Sequence, residues 1–525
     1  MSKYFPGFAL LILALAAPAF AAGGGTVADA AMKGDFTSVR ALIGSRADVN
    51  APLADGSTAL HWAAHWDDVA AADALIKAGA NPRAATRLGA TPMSVAAENG
   101  SAAMIARLLA AGVDANATFL ADNETALMLA ARAGSADGVK ALLDAGAKIE
   151  AKDSLRETTA LSWAAEQKHP SVIALLLSRG ADPKAASKVV IPKGRAAAAD
   201  ADEVDTTAVL PPNANAKGGL TALMVATREG SLEIMKMLLD GGADINQQSG
   251  NGSTALLVAV QNGDAPAARL LLERGADVNI ANGKGWTPLF LAVKSRTRER
   301  GTVPSPVIDP IAMMDVIKMI VDKGADVNAR LKANTETYGA TTWLVEGGAT
   351  ALLRASFCGD LEVMKLLMAH GADPLITTND GTTTLMALAG VGYGDGFTSD
   401  FGPPEQSVEA MKLLLDAGVP INAMTKEKIT ALHGAAHKNF VAGIQFLVDH
   451  GADLTMRSQR ASNFEHKGTV GNTVLDWATG VQVNMQSASY KREAVELVTK
   501  LMKERNIPVE GLSTTKGGRG TTTVK

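Results

Sequence analysis

The chain has 525 residues, of which 47% are hydrophobic and 20% charged, a composition that excludes wholesale disorder and leaves ample apolar sequence for a core. Its 50 Lys and Arg residues stand against 54 Asp and Glu residues, and the net charge of -4 argues against a nucleic-acid binder that works by neutralising phosphates. A single cysteine, Cys358, excludes an internal disulfide framework and any zinc or iron–sulfur site built on cysteines.

Residues 1–21 predict a secretory signal peptide. Phe8–Ala17 is a short apolar run that follows Lys3, and Pro18–Ala21 offers an Ala-x-Ala cleavage site. The run is too short to cross a hydrocarbon layer of about 30 Å, which needs about 20 residues. We therefore expect cleavage near Ala21, export to the periplasm or the extracellular space, and no stable membrane insertion. An uncleaved membrane anchor is the alternative.

A threonine followed by a small residue or proline, and usually then by leucine, recurs along the rest of the chain. Most spacings between successive threonines are 33 or 34 residues, and most of the others are 33 plus an insertion. A glycine stands 21 residues after most of these threonines and is followed by Ala or Val and usually Asp. The threonines are Thr58, Thr91, Thr125, Thr159, Thr221, Thr254, Thr287, Thr350, Thr383, Thr430 and Thr473.

Each repeat predicts two helices and an extended loop. The threonine hydroxyl can cap the first free N–H groups of a helix, and proline at the next position, as in Thr91-Pro92, suits the first turn. Gly100 and its counterparts in other repeats end the first helix by permitting a left-handed backbone. A second helix follows with apolar residues at i, i+4 and i+5, for example Ile234, Leu238 and Leu239.

Segments such as Gly56–Ala64 (GSTALHWAA) and Leu270–Asn279 (LLLERGADVN) resemble the ankyrin-repeat family, and the resemblance covers about residues 26–506. It implies an all-α solenoid of about twelve helix-turn-helix repeats with extended hairpin-like loops. Together with the predicted signal peptide, we expect an exported, bacterial member of this family. Trp62 and Trp163 replace the usual leucine of the first helix and are expected in the core. The opening repeat, Val27–Asn50, lacks a clear capping threonine, as a terminal cap would.

We predict that the solenoid occupies residues 22–510 and that residues 511–525, which lack apolar periodicity, form a disordered tail. The repeats are predicted to start near residues 26, 56, 89, 123, 157, 219, 252, 285, 348, 381, 428 and 471.

Six insertions break the repeat period, near residues 185–217, 296–310, 331–347, 391–405, 457–470 and 480–490. Two interpretations stay open: surface drift that costs little stability, or loops that widen a recognition surface. We expect the loop Ser187–Ala216 not to support the core. Because the insertions become more frequent toward the C-terminus, we expect the more specialised surface there.

The sequence offers little for catalysis. It contains no Walker loop, His-Glu-x-x-His motif or nucleophile elbow, and the glycine-rich Gly390–Gly396 lacks the preceding strand of a phosphate loop. His61/His65 and His433/His437 have the i, i+4 spacing of a shared metal site, but each pair lacks a nearby third ligand. His61 and His433 also stand where the ankyrin signature carries histidine. We predict no cofactor, no bound metal and no catalytic residue.

In the ankyrin family, the residues seven and eight positions after the threonine, and those just before it, line the concave face. Aromatic side chains take such positions at Trp66, Trp286 and Phe357, and exposed aromatic residues anchor interfaces. The alternative is that these aromatics cover the ends of neighbouring helices. Both signs of charge mix on this face, which favours a protein partner. The candidate partner-binding residues are His65, Trp66, Arg132, Arg228, Glu229, Trp286, Phe357, His437 and Lys438.

The leading hypothesis is therefore a non-enzymatic protein–protein interaction scaffold of the cell envelope or the secreted space. It is expected to be a monomer that binds a protein through its concave face and loop insertions, without nucleic acid. Two alternatives stay open. One is an enzyme or metal-dependent protein whose site lies in the C-terminal insertions, and the other is a secreted effector directed at a host.

Overall fold

The computed structural model describes residues 25–119, 122–192, 213–297, 309–332, 344–393, 402–459, 471–480 and 490–509. The predicted signal peptide, the predicted tail and the interiors of the six predicted insertions lie outside these residues. The chain divides into two compact units, an N-terminal unit that ends at Leu155 and a C-terminal unit that begins at Arg156. Each is described by itself below.

Helices dominate both units and follow one another in pairs, one pair per repeat, as expected of the all-α repeat fold. The twelve pairs of the described residues, numbered as repeats 1–12, are α1 (Val27–Met32) with α2 (Phe36–Gly44), α3 (Ala59–His65) with α4 (Val69–Lys77), α5 (Pro92–Glu98) with α6 (Ala102–Ala110), α7 (Ala126–Arg132) with α8 (Ala136–Asp144), α9 (Ala160–Glu166) with α10 (Pro170–Ser178), α11 (Ala222–Arg228) with α12 (Leu232–Asp240), α13 (Ala255–Asn262) with α14 (Ala265–Glu273), α15 (Pro288–Arg296) with α16 (Pro310–Asp322), α17 (Ala351–Phe357) with α18 (Leu361–Ala369), α19 (Thr384–Ala389) with α20 (Pro404–Asp416), α21 (Ala431–Lys438) with α22 (Val441–Asp449), and α23 (Val474–Gly480) with α24 (Arg492–Glu504).

Threonine caps the first helices as the sequence predicts. At α5, for example, the Thr91 hydroxyl accepts a hydrogen bond from the Ser94 N–H at 3.2 Å. The opening repeat has a capping threonine too, so the expectation that it lacks one is wrong. The Thr26 hydroxyl accepts from the Asp29 N–H at 3.1 Å, and the Asp29 carboxylate accepts from the Thr26 N–H at 2.8 Å. The Thr26 hydroxyl also donates to the Asp29 carboxylate at 2.7 Å, and this bond, followed by the one from the Thr26 N–H, lowers the pKa of Asp29. No leucine follows Thr26 at the usual distance, so the repeat pattern alone does not single it out.

The turn after the first helix requires a left-handed backbone, which explains its glycines. Gly100 has φ +68° and Gly263 has φ +70°. Where the repeat lacks glycine, Asp67, Lys168 and Asn439 adopt φ between 55° and 62° at the same position. The left-handed conformation costs an L-residue about 1–2 kcal/mol, so the turn is set by the packing of the two helices rather than by the residue type.

Asparagine side chains tie several of the loops to the next repeat. The Asn50 amide donates to the Gly79 carbonyl at 2.9 Å, and its oxygen accepts from the Asn81 N–H at 2.7 Å. The same two bonds recur at Asn279 in the C-terminal unit. They satisfy a carbonyl at the end of a second helix, where no helical partner remains.

The core lies between the helices of each pair and between successive first helices. Leu75 and Leu108 in the N-terminal unit, and Leu238 in the C-terminal unit, are fully buried, and each such side chain contributes about 1.5–3 kcal/mol of transfer free energy. Trp62 and Trp163 are each 6% exposed, which confirms their predicted place in the core. Among the described helices, none has both the length and the apolar character needed to span a bilayer.

Some of the connecting loops form short antiparallel hairpins, as the fold prediction requires. The hairpins of the described residues are β1 (Thr118–Phe119) with β2 (Glu124–Thr125), β3 (Val189–Val190) with β4 (Lys217–Gly218), and β5 (Arg457–Ser458) with β6 (Asn472–Thr473). The β3–β4 hairpin corrects one expectation. Ser187–Ala216 does support the fold, because its residues Val189 and Val190 pair with Gly218 and Lys217 directly after the segment. In addition, Ala214 and Ala216 are buried, at 4% and 6% exposure.

Candidate functional site

Most of the predicted partner-binding residues lie at the ends of first helices, seven and eight positions after the capping threonine. We call these positions, together with the residue just before the threonine, the first-helix row. Their side chains fall into three groups in the structure: exposed, ion-paired at the surface, and buried.

Trp66 is the exposed aromatic residue of the row in the N-terminal unit. It follows the last residue of α3 and is 51% exposed. Its backbone N–H donates to the Trp62 carbonyl at 2.9 Å. Its indole meets the exposed His65 ring edge-on, with 5.1 Å between ring centroids. On another side it lies against Gly34, where an added Cβ would be 3.7 Å from the ring. The indole is therefore held in place while half of its surface stays accessible.

Arg132 lies further along the row, in repeat 4, two repeats after Trp66. It is half-buried, and its guanidinium contacts the Glu98 carboxylate of repeat 3 at 2.8 Å. Burial raises the pKa of Glu124, Arg132 opposes that rise, and the charges of Glu98, Asp122 and Asp153 add to it. Arg132 is thus paired with Glu98 and lies near Glu124, which has further carboxylates around it, so this part of the surface complements basic groups better than acidic ones.

Arg228 and Glu229 are ion-paired at the surface of the C-terminal unit. The exposed Arg228 lies 3.2 Å from the Glu229 carboxylate and 3.5 Å from that of Glu166, which is also 3.5 Å from Arg156. Exposed ion pairs contribute only about 0–1 kcal/mol to stability. These side chains can therefore exchange their present contacts for contacts with a partner at little cost.

Phe357 is buried, so the expectation that it is an exposed anchor is wrong. It is 6% exposed and packs in a cluster with Phe290, Leu353 and Leu344. Trp286 is partly buried against the same cluster. The alternative interpretation, in which aromatics cover neighbouring helices, holds at both positions. The physical reason is Leu344, which belongs to the insertion 331–347 and covers the row at this point.

The same insertion brings in charged residues that the sequence analysis missed. Glu346 and Arg354 are each 3% exposed, and one Glu346 carboxylate oxygen lies 3.9 Å from Arg354 Nη1 and 3.9 Å from Lys294 Nζ. Lys294 lies over the Trp286 ring at 5.5 Å from its centroid, and Arg354 over the Phe357 ring at 5.4 Å. Acidic, basic and aromatic groups therefore converge between repeats 8 and 9.

His437 is also buried, at 6% exposure, which contradicts its predicted place on an open face. The reason is that α23 packs on α21 and sets the Trp477 ring edge-on against His437, with 5.7 Å between centroids. The neighbouring Lys438 is half-buried. Its ammonium group lies 5.4 Å from the ring centroids of both Tyr393 and Phe440. The side chains of His437 and Lys438 are therefore not open contact points for a partner.

His61 and His433 take part in helix capping. His61 Nδ1 accepts a hydrogen bond from the Thr58 N–H at 3.1 Å, and His433 Nδ1 accepts from the Thr430 N–H at 3.2 Å. Burial lowers the pKa of His61, and it lowers the pKa of His433 to about 4. Over the described ranges, no three His, Cys, Asp or Glu side chains converge in a metal-binding group. Cys358 is buried directly after α17, near a helix end.

Two family models match the chain. The model described as "Ankyrin repeats (3 copies)" matches residues 27–119, 95–187 and 223–331, and the model described as "Ankyrin repeat" matches residues 347–379. Together they cover more than half of the chain and fall within both the N-terminal and the C-terminal unit.

Curated relatives match shorter stretches. The chain is 30% identical over 132 residues to the ankyrin repeat and KH domain-containing protein mask-1 of Caenorhabditis elegans, covering 21% of this chain and 5% of that protein. It is 28% identical over 163 residues to a Caenorhabditis briggsae protein described in the same words, covering 28% of this chain and 6% of that protein. The chain thus spans only a small part of these nematode relatives, and its expected bacterial origin stays a prediction.

Similar solved structures are ankyrin repeat domains as well. The human ASB11 domain is 24% identical and matches 48% of this chain and 99% of its own, with a TM-score of 0.39. The Bcl-3 domain is 25% identical and matches 50% of this chain and 99% of its own, with a TM-score of 0.38.

Proposed function

Because the chain belongs to the ankyrin-repeat family, whose repeats generally mediate protein–protein interaction, we propose that it is a non-enzymatic scaffold whose protein partner docks on the first-helix row of the N-terminal unit. The observation that carries the proposal is the half-exposed indole of Trp66. Tryptophan and arginine are enriched among the residues that dominate binding energy at interfaces, and this row presents Trp66 together with Arg132.

Trp66 is suited to act as an anchor because it is already ordered. Its contacts with Gly34 and His65 fix the ring before binding, so little side-chain entropy remains to be lost. The carboxylates around Arg132 favour a partner that places basic side chains opposite them. We therefore expect the partner to combine an apolar pocket for the indole with a basic rim.

The test is a comparison of two exposed positions of the same unit. Mature protein is immobilised, its partner is captured from the native extract, and binding is measured for the wild type, Trp66→Ala and Leu88→Ala. We expect Trp66→Ala to weaken binding by about 1–3 kcal/mol. Leu88, which is 62% exposed at a loop tip, is the matched control and should leave binding within about 0.5 kcal/mol of the wild type. Equal binding by all three proteins would refute the docking site.

We further propose that the protein is exported after cleavage near Ala21 and acts as a monomer outside the cytoplasm. The support for export is the sequence of residues 1–21 alone. Mass spectrometry of the N-terminus and cell fractionation test the export. The molar mass from light scattering tests the oligomeric state. Retention of Met1 or Lys3 on the native protein would contradict cleavage.

A further inference from the structure

A segment of the insertion 331–347 covers the first-helix row of the C-terminal unit at repeats 8 and 9. Leu344 is 3% exposed and packs against Phe290 and Phe357, while Glu346 carries its carboxylate into the same site. At the base of the insertion, the Leu331 N–H donates to the Ala349 carbonyl at 3.0 Å and the Gly348 N–H donates to the Leu331 carbonyl at 2.9 Å. The segment Leu344–Glu346 therefore lies where the row would otherwise be open.

Arg354, which faces this segment, is unusual for its position in the repeat. The residue four positions after the capping threonine is apolar or glycine in the other repeats, namely Ala30, Trp62, Val95, Leu129, Trp163, Val225, Val258, Leu291, Ala387, Gly434 and Trp477. Only repeat 9 carries a charge there. A buried ion pair is usually no more stabilising than the apolar residues that could replace it. Stability therefore does not account for the buried Arg354 and Glu346, whereas recognition of a carboxylate does.

The site also holds its basic groups on aromatic rings. Lys294 lies over Trp286 and Arg354 over Phe357, an arrangement that restricts both cations. In addition, the indole N–H of Trp286 is buried and has no hydrogen-bond acceptor among the described residues. Two restricted cations and an indole donor beside an apolar cluster make a site suited to an acidic, partly apolar ligand.

We propose that Trp286, Lys294, Arg354 and Phe357 form a binding site for an acidic peptide segment of a partner protein, and that Leu344–Glu346 occupies this site in cis. The partner segment carries a glutamate two positions after an apolar residue, because that is the spacing of Leu344 and Glu346. A tethered occupant acts at an effective concentration of about millimolar, so it blocks weaker peptides and sets a threshold for the partner. The proposal does not depend on the docking surface of the N-terminal unit.

The experiment displaces the segment and supplies it in trans. Glu346→Lys places a third cation against Lys294 and Arg354 and should expel the segment. A fluorescent peptide of sequence Leu-Val-Glu-Gly-Gly is titrated with full-length protein, and binding is followed by anisotropy. We expect Glu346→Lys to bind the peptide at least about tenfold more tightly than the wild type. The control Glu157→Lys, which reverses the charge of an exposed carboxylate in the same unit, should bind like the wild type.

Specificity for the carboxylate is tested in the same assay. Leu-Val-Gln-Gly-Gly should bind Glu346→Lys about tenfold more weakly than the glutamate peptide, and adding Arg354→Met should abolish binding of either. If Glu346→Lys keeps the helical circular dichroism of the wild type but gains no affinity, or does not distinguish the two peptides, the proposal is wrong. Should Glu346→Lys fail to fold, Glu346→Gln replaces it, and no gain in peptide affinity over the wild type then overturns the proposal.

Discussion

At the residue scale, His433 shows how burial couples this fold to pH. It is fully buried on α21, where its ring meets Trp477 edge-on at 5.9 Å between centroids. Burial lowers its pKa to about 4, although the backbone of Asn472 and Met456 acts in the opposite direction. The folded chain therefore holds a neutral imidazole, whereas the unfolded chain takes up a proton near pH 6.5.

Stability should consequently fall as the pH drops through the window from about 6.5 to 4. Above that window both states are neutral at His433 and the full stability is present, and below it the loss amounts to about 3 kcal/mol. Urea denaturation between pH 4 and 8 measures how the free energy of unfolding changes with pH. His433→Gln should reduce that slope by the contribution of His433. Trp477→Phe, which disturbs the same contact without removing a titrating group, should keep the slope. An unchanged slope in His433→Gln would contradict the assignment.

The burial of individual side chains is the property that the sequence predicts least well. Trp62 and Trp163 were correctly placed in the core, because their position within the repeat decides their burial. Phe357 and His437 occupy positions that are open in an isolated repeat, and they are buried by Leu344 and Trp477. Those contacts join residues far enough apart in the chain that no local pattern encodes them.

At the scale of elements, Arg296 connects three helices. It is the last residue of α15, with a side chain 5% exposed, and its guanidinium lies 2.8 Å from Asp360 and 2.7 Å from Glu362 at the start of α18. It also donates to the Pro310 carbonyl at the start of α16. Asp360 is 1% exposed and caps α18 by accepting from the Val363 N–H at 3.2 Å. Arg296 thus joins α15 to α16 of its own repeat and to α18 of the next repeat.

Removing Arg296 should leave the Asp360 carboxylate buried without its counter-ion. We expect Arg296→Met to destabilise the protein by about 3–5 kcal/mol. Arg296→Met with Asp360→Asn should recover much of that loss, because asparagine keeps the helix cap without the charge. Arg274→Met, which breaks an exposed pair with Asp240, is the matched control and should cost less than about 1 kcal/mol. Chemical denaturation measures the free energy of unfolding of all three variants. Equal losses for Arg296→Met and Arg274→Met would show that burial does not determine how much an ion pair contributes to stability.

The helices themselves were largely predictable. The capping threonine, the small first-helix residues and the left-handed turn recur at fixed spacing, so the helices predicted in one repeat are supported by the same pattern in the next. Thr26 was missed because it lacks the following leucine, although its capping box is complete. The use of the insertions was not predictable, since Leu344 and Glu346 are placed by tertiary contacts rather than by periodicity.

At the scale of the whole molecule, repeats contact their immediate neighbours in the chain. First helices pack on the first helices of adjacent repeats, and second helices on adjacent second helices, within each unit. Stability in such an array is approximately a sum of repeat and nearest-neighbour terms. Damage to one repeat should therefore loosen that repeat and its neighbours, while distant repeats keep their protection against hydrogen exchange.

Trp477→Ala tests this locality at the C-terminal end. The indole is fully buried, donates to the Ser458 hydroxyl at 2.9 Å and packs on His433, so its removal should cost about 3–5 kcal/mol in repeat 12. Hydrogen exchange followed by mass spectrometry should show lost protection in α23 and α24, a smaller loss in α21 and α22, and no change in α3–α6. Trp62→Ala is the reciprocal control and should loosen repeats 1–3 while α21–α24 stay protected. A uniform loss of protection along the chain in either variant would instead mean that all repeats unfold as one cooperative body, because nearest-neighbour interactions alone would confine the loss to nearby repeats.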